Sequence, residues 1–78
     1  MEKLELLEVN EEKVIYKYFP ETETEKFGVV SVNRKNGERK IEKLFEEYGN
    51  NYAFHAFNEL ERYISKGSFP VSGGVAWY

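Results

Sequence analysis

Apolar residues alternate with other residues in the segment 13–19, which predicts a β-strand. Val14, Tyr16 and Tyr18 recur with a period of two and would share one face of a sheet. The segment is also rich in Val, Ile, Tyr and Phe, the residue types that strands favour. Pro20 follows directly and lacks the amide hydrogen that a ladder requires, so we expect the strand to end there.

The segment 3–9 has a less regular pattern. Its leucines begin an alternation with glutamates that Leu7 breaks, and a short helix would also fit the spacing. We predict a strand, because residues 10–13 have the composition of a turn that leads into the next strand. The acidic stretch 21–25 is expected to be a turn or loop.

The segments 26–34 and 38–45 are predicted to form a hairpin. Asn36 and Gly37 lie between them, and both residue types tolerate the positive φ angles of a tight turn. The apolar residues of the second segment also fit a helical spacing, but the hairpin signal favours a strand. Gly28 in the first segment indicates a bulge or the close approach of a neighbouring group, such as an aromatic ring.

The segment 52–66 predicts an amphipathic helix. Asn50 or Asn51 is expected to cap its first turn with a side-chain oxygen. Gly67 is expected to end it in the left-handed conformation. The apolar stripe expected to face the sheet consists of Ala53, Ala56, Phe57, Leu60 and Ile64.

In the tail after the helix, Gly73 and Gly74 are expected to form a flexible joint, followed by a last short strand that docks Trp77 on the sheet. Together these elements predict one α+β domain over residues 1–78. Its architecture would be an antiparallel β-meander of three to four strands, with one amphipathic helix packed on one face and a short C-terminal strand.

The composition excludes several chemistries. Cys, Asp and Gln do not occur in the chain, and His55 is its single histidine. Disulfides, thiolate chemistry and Cys-based zinc sites are therefore impossible, and one histidine cannot supply three metal ligands. We predict no cofactor and no metal, and the sequence identifies no small-molecule substrate. The core must come from bulky side chains, which the six Tyr, six Phe and one Trp provide.

The net charge of −3 conceals one basic segment. Residues 26–43 contain six Lys or Arg and two Glu, a net charge of +4. A two-stranded ribbon with this charge fits nucleic acid, because Lys and Arg bind phosphates. The alternative is a charged hairpin that keeps a sheet edge from pairing with another chain. The candidate nucleic-acid contacts are Arg34, Lys35, Arg39, Lys40 and Lys43.

His55 is the obvious candidate for acid–base chemistry. Glu59 follows it by one helical turn, and such a pair can transfer protons or supply two metal ligands. The same pattern is more typical of an exposed helix face, because the sequence places no third functional group nearby. We therefore predict that the protein is not an enzyme.

The surplus of aromatic residues suggests a surface for protein contacts. Tyr16 and Tyr18 would line an uncovered sheet face, and Trp77 and Tyr78 would anchor a partner, although all of these rings also suit a core. The sequence predicts a non-enzymatic protein-interaction or self-associating module whose partner is a second copy, as a homodimer, or another protein. The alternative is a nucleic-acid-binding protein that uses the hairpin 34–43.

The chain begins with Met and without an apolar run of signal-peptide length, and it has nothing close to the ~20 apolar residues of a membrane span. We expect a cytoplasmic protein from a complete small reading frame, since a chain without Cys suits a reducing compartment. In its Glu- and Lys-rich turns the sequence resembles small bacterial or phage proteins, and it carries no family motif.

Overall fold

A computed structural model describes residues 2–20 and 25–75. Within these residues the strands form one antiparallel sheet, in the order β4-β3-β2-β1-β5, and a helix packs on one of its faces. This arrangement confirms the predicted α+β meander with a short C-terminal strand. The elements are β1 (Glu2–Val9), β2 (Lys13–Pro20), β3 (Gly28–Asn33), β4 (Arg39–Lys43), a 3-10 turn (Glu46–Tyr48), α1 (Asn51–Lys66) and β5 (Ser72–Val75).

The ambiguous first segment is strand β1, and a bulge explains its broken pattern. Leu6 pairs with Tyr16 on β2, and the register then shifts so that Glu8 pairs with Ile15. Leu7 is the extra residue between them and is exposed. A bulge inserts one residue without a partner, so the alternation changes phase at that residue.

The hairpin between β3 and β4 forms where Asn36 and Gly37 predicted it. The Asn33 amide donates to the Glu38 carbonyl and the Gly37 amide donates to the Asn33 carbonyl, both at 2.9 Å. Gly37 has a φ of 75°, the conformation that glycine adopts without strain. The segment after this turn is strand β4, so the strand prediction is confirmed over the helical alternative.

The core lies between the sheet and α1. Val14, Tyr16 and Tyr18 are fully buried on the face of β2 that the alternation assigned to them. Gly28 on β3 pairs with Tyr18, and a Cβ atom at this glycine would overlap the tyrosine ring. The predicted approach of an aromatic ring to Gly28 is therefore confirmed.

The buried residues of helix α1 match the predicted apolar stripe at all positions but one. Ala53, Ala56, Phe57 and Leu60 are buried, but the last buried position is Tyr63, while Ile64 is only half-buried. Tyr63 lies on the flank of the stripe, and its ring is buried beside that of Tyr16, with 5.5 Å between the ring centres. The predicted left-handed end at Gly67 is confirmed, with a φ of 70° and its amide donating to the Tyr63 carbonyl at 2.8 Å.

The predicted side-chain cap at the start of α1 is wrong. Asn50 occupies the cap position, but its side chain makes no capping hydrogen bond and its backbone is already helical. Its carbonyl accepts the first intrahelical hydrogen bond, from the Phe54 amide at 3.0 Å, and Gly49, with a φ of 61°, links it to the preceding 3-10 turn. The helix is neither long nor apolar enough to cross a membrane.

The predicted flexible joint in the tail is also wrong. Gly73 and Gly74 are part of β5 and pair with Leu4 and Lys3 on β1. The C-terminal strand thus begins at Ser72, earlier than expected. The interface candidates Trp77 and Tyr78 and most of the predicted acidic loop 21–25 lie outside the described residues.

Candidate functional site

The two tyrosines predicted for an uncovered sheet face lie in the core instead. Tyr16 and Tyr18 are both fully buried beneath α1. The Tyr16 hydroxyl donates to the Pro70 carbonyl at 2.5 Å, and the Tyr18 hydroxyl accepts from the Phe45 amide at 3.1 Å. A partner cannot reach these rings in the folded chain. The prediction that Tyr16 and Tyr18 form a surface for protein contacts is therefore wrong.

Burial also changes the acidity of these hydroxyls. Burial, with a smaller effect of the neighbouring Tyr63 hydroxyl, raises the pKa of Tyr16 to about 12. Burial likewise raises the pKa of Tyr18; the Phe45 amide opposes this rise and the Glu2 carboxylate adds to it. Both hydroxyls are therefore neutral hydrogen-bonding groups over the physiological range.

The predicted basic cluster is divided between the two faces of the sheet, and Arg39 faces the helix. Its guanidinium donates to both carboxylate oxygens of Glu61, at 2.8 and 2.7 Å, and to Asn58 at 3.0 Å. It also lies 5.2 Å from the centre of the Phe57 ring. This hydrogen-bonded pair lowers the pKa of Glu61. Arg39 thus connects β4 to α1, and a phosphate would have to displace Glu61 to reach it.

The arginine at the hairpin tip is held by intramolecular contacts as well. Arg34 donates to the Asn10 carbonyl at 2.7 Å and lies 4.9 Å from the centre of the Phe69 ring. Lys35 is exposed at the tip, where its backbone amide donates to the Asn33 side chain at 2.8 Å. Of the five predicted phosphate contacts, the two arginines are therefore engaged in hydrogen bonds within the folded chain.

A bulge at β4 places Lys43 on the same face as Lys40. Ile41 pairs with Val30, and the register then shifts so that Lys43 pairs with Val29. Without this shift the alternation would turn Lys43 toward α1. Both lysines lie instead on the sheet face opposite α1, which we call the lysine face.

The lysine face is positively charged although the chain is acidic. It carries five lysines and four glutamates, a net charge of +1, whereas the whole chain carries −3. Two of the lysines form ion pairs, Lys17 with Glu5 and Lys40 with Glu42, each at 3.2 Å. Pairs near the surface contribute at most about 1 kcal/mol, so another anion can replace the glutamate. The charged residues of the lysine face are Lys3, Lys13, Lys17, Lys40, Lys43, Glu5, Glu8, Glu38 and Glu42.

Phe27 lies between two of these lysines. Lys17 on β2 and Lys43 on β4 both pair with Val29, from opposite sides of β3. Their ammonium nitrogens lie 4.7 and 4.1 Å from the centre of the Phe27 ring. The ring is half-buried, so part of it remains accessible beside the two positive charges.

A cleft of about 560 Å³ opens beside this ring. Its apolar wall consists of Phe27, Leu44 and Phe45. Lys26 on the rim forms an ion pair with Glu47 at 2.8 Å. The volume is in the range of sites that bind small molecules. The charged residues around the cleft are Glu25, Lys26, Lys43, Glu46 and Glu47.

The two edges of the sheet differ in charge. Strand β4 is one edge, and four of its five residues, in the sequence RKIEK, are charged. Strand β5 is the other edge, with the uncharged sequence SGGV. Next to β5, Val71 is 75% exposed and its carbonyl accepts from the Leu6 amide at 2.9 Å. Leu7, which follows in the β1 bulge, is 53% exposed.

The predicted pair of His55 and Glu59 lies on α1, one helical turn apart. His55 is half-buried on α1, and Glu59 accepts a hydrogen bond from Arg62 at 3.1 Å. Across residues 2–20 and 25–75, no three His or Glu side chains are grouped in a way that could hold a metal ion.

Sequence reasoning did not identify Glu2 as a special residue. Its side chain is fully buried on the core side of β1. The negative charge of its carboxylate contributes to the raised pKa of Tyr18. The alternation with Leu4, which is buried on the same face, was the available signal. A glutamate at such a position is readily assigned to a frayed strand end when only the sequence is considered.

No model of a known protein family, no curated protein and no solved structure was found to match this chain. Its function must therefore be inferred from the geometry of its own residues.

Proposed function

We propose that this protein is a non-enzymatic binding module that pairs with a second copy of itself through the edge of β5. The observation that carries the proposal is the unequal charge of the two edge strands, β4 being highly charged and β5 uncharged. Charged side chains on an edge strand oppose the addition of another strand. The edge of β5 is therefore the one suited to pairing.

Strand β5 is held in place by groups from the core. The Tyr16 hydroxyl binds the Pro70 carbonyl, and the Tyr63 hydroxyl lies against Gly73, where a Cβ atom would be 2.5 Å away. An edge that is ordered in advance loses little conformational freedom on pairing. The exposed side chains of Val71 and Leu7 would add apolar burial beside the new backbone hydrogen bonds.

A second copy suits this edge because antiparallel pairing of β5 with itself uses the same surface on both partners. The uncharged strands would meet without like-charge repulsion, whereas pairing of β4 with itself would bring rows of Lys and Arg together. The product would be a continuous sheet through both copies. A cytoplasmic location is part of this proposal and is supported by the composition alone.

Analytical ultracentrifugation over a wide concentration range tests the proposal. We expect a reversible dimer in the unmodified chain and a monomer in Val71→Lys, which places a charge beside the β5 edge. The matched control is Leu44→Lys, which adds the same charge at an exposed leucine that follows β4. A monomer at every concentration, or equal weakening by both variants, would show that β5 is not the interface.

A further inference from the structure

We propose that the lysine face binds single-stranded nucleic acid, with a base against the Phe27 ring and phosphates on Lys17 and Lys43. This activity uses the face of the sheet, so it is separate from the pairing proposed at the β5 edge. It also differs from the hairpin-tip interface predicted from the sequence, because Arg34 and Arg39 are held by intramolecular contacts.

The first argument is the combination of an aromatic ring with positive charge on one face. Proteins bind single strands through aromatic side chains on which bases stack, beside cations that follow the phosphates. Here the Phe27 ring has ammonium groups at 4.7 and 4.1 Å, contributed by Lys17 and Lys43. The surrounding face has a net positive charge in an acidic chain. The lysines on this face can therefore attract the phosphates of a polyanion although the chain as a whole is acidic.

The second argument is that the lysines can exchange their present contacts for phosphates. A lysine stem is long and flexible, so its ammonium group can turn from the ring to a phosphate while the stem stays packed. The ion pair of Lys17 with Glu5, with the Glu5 side chain 46% exposed, is weak enough to be replaced. Turning outward also uncovers the Phe27 ring for a base.

The cleft beside Phe27 favours a nucleic acid over an acidic peptide. Its apolar wall of Phe27, Leu44 and Phe45 can cover the flat surface of a base. The carboxylates of Glu25 and Glu46 at the rim can accept hydrogen bonds from the amino groups of a base. The Glu and Asp side chains of an acidic peptide offer no flat ring that could stack on Phe27.

A base can stack on Phe27 only when it is free of its complement, so the proposal is specific to single strands. Fluorescence anisotropy with labelled single-stranded DNA and RNA of mixed sequence, beginning at about 50 mM salt, measures the binding. We expect the double variant Lys17→Gln/Lys43→Gln to bind more weakly. It should reduce the slope of log K against log salt by about 1.4, the value for two phosphate contacts to a single strand.

Phe27→Leu keeps an apolar side chain but removes the ring, and we expect it to weaken binding at least about five-fold at every salt concentration. The matched control is Arg62→Gln/Lys66→Gln, which removes two exposed charges on α1, on the other side of the sheet, and should leave the salt slope as it is in the unmodified chain. The proposal is overturned by no binding at low salt, by tighter binding of a duplex or of poly-glutamate, or by an equal effect of the two double variants.

Discussion

The hydroxyl of Tyr16 donates a hydrogen bond of 2.5 Å to the carbonyl of Pro70, which lies 54 residues later in the chain. The ring of Tyr63 lies beside that of Tyr16, with 5.5 Å between the ring centres, and its hydroxyl lies against Gly73. Two buried rings thus hold the segment that leads into β5 and the strand itself. The core of this domain therefore also positions its uncharged edge.

Replacing Tyr16 with Phe is expected to lower the free energy of unfolding by about 1–3 kcal/mol, because the partly buried Pro70 carbonyl loses its partner. The segment after α1 should also loosen, so trypsin should cleave after Lys66 more rapidly. Denaturant titration and limited proteolysis measure the two effects. The control is Tyr18→Phe, which loses the bond to the Phe45 amide. It should lower stability by a similar amount without faster cleavage at Lys66, and equal cleavage of both variants would contradict the assigned role.

The loss of stability at alkaline pH should depend on Tyr16. Burial, followed by the effect of Tyr63, raises the pKa of Tyr16 from 10.0 to about 12. A raised folded-state pKa gives a contribution that is complete below the unfolded value and is lost as the pH rises through the folded value. We expect stability to decrease between pH 10 and about 12. Tyrosinate absorbance and circular dichroism, recorded together, measure the decrease, and it should be smaller in Tyr16→Phe.

Gly28→Ala should destabilise the sheet by about 1–3 kcal/mol, because the added methyl group overlaps the Tyr18 ring. The expected cause is steric, so the cost should fall when the substitution is made together with Tyr18→Val, which removes the ring. Urea unfolding of the two single variants and the double variant gives the coupling energy between these positions. Equal costs in the two backgrounds would show that the ring is not what requires glycine.

The pair of Arg39 and Glu61 should contribute to stability only above acidic pH. The hydrogen bond from Arg39 lowers the pKa of Glu61 below its ordinary value near 4.5. A lowered folded-state pKa gives a contribution that is present above the unfolded value and is lost as the pH falls through the folded value. Both side chains are more than one-third exposed, so we expect at most about 1 kcal/mol.

Urea unfolding over a series of pH values measures this contribution. Glu61→Gln and Arg39→Gln should each reduce the decrease in the free energy of unfolding toward acidic pH. The double variant should reduce it no further than either single variant. Additive losses in the double variant would mean that the two residues act independently.

Local patterns predicted the type of each strand and of α1, but not the extent of β5. The phase change at Leu7 corresponds to the bulge in β1, and Gly37 lies in the turn at which β3 reverses. Gly67 ends α1 in the left-handed conformation. The turn and the helix end each depend on the conformational range of one glycine, which is why the sequence predicts them. The bulge was not predicted, although the broken period at Leu7 is its signal.

The candidate site depends on pairings between distant segments, which the sequence does not reveal. Lys43 reaches the lysine face through a register shift against Val29, although simple alternation would have turned it toward α1. Gly73 appeared to be a joint because a glycine pair suggests flexibility. It is instead the residue that leaves room for the Tyr63 hydroxyl, a requirement set by packing of the helix against the sheet.

Strand β1 lies between β2 and β5. Some of its backbone amides are therefore protected from hydrogen exchange by bonds to β2, and the others by bonds to β5. Leu6 donates to the Val71 carbonyl, and because amide directions alternate along a strand, Leu4 also faces β5 while Lys3 and Glu5 face β2. Local opening of β5 would release every second amide of this strand to solvent and leave the intervening ones protected. The exchange rates of neighbouring amides in β1 therefore distinguish detachment of the edge strand from unfolding of the whole domain.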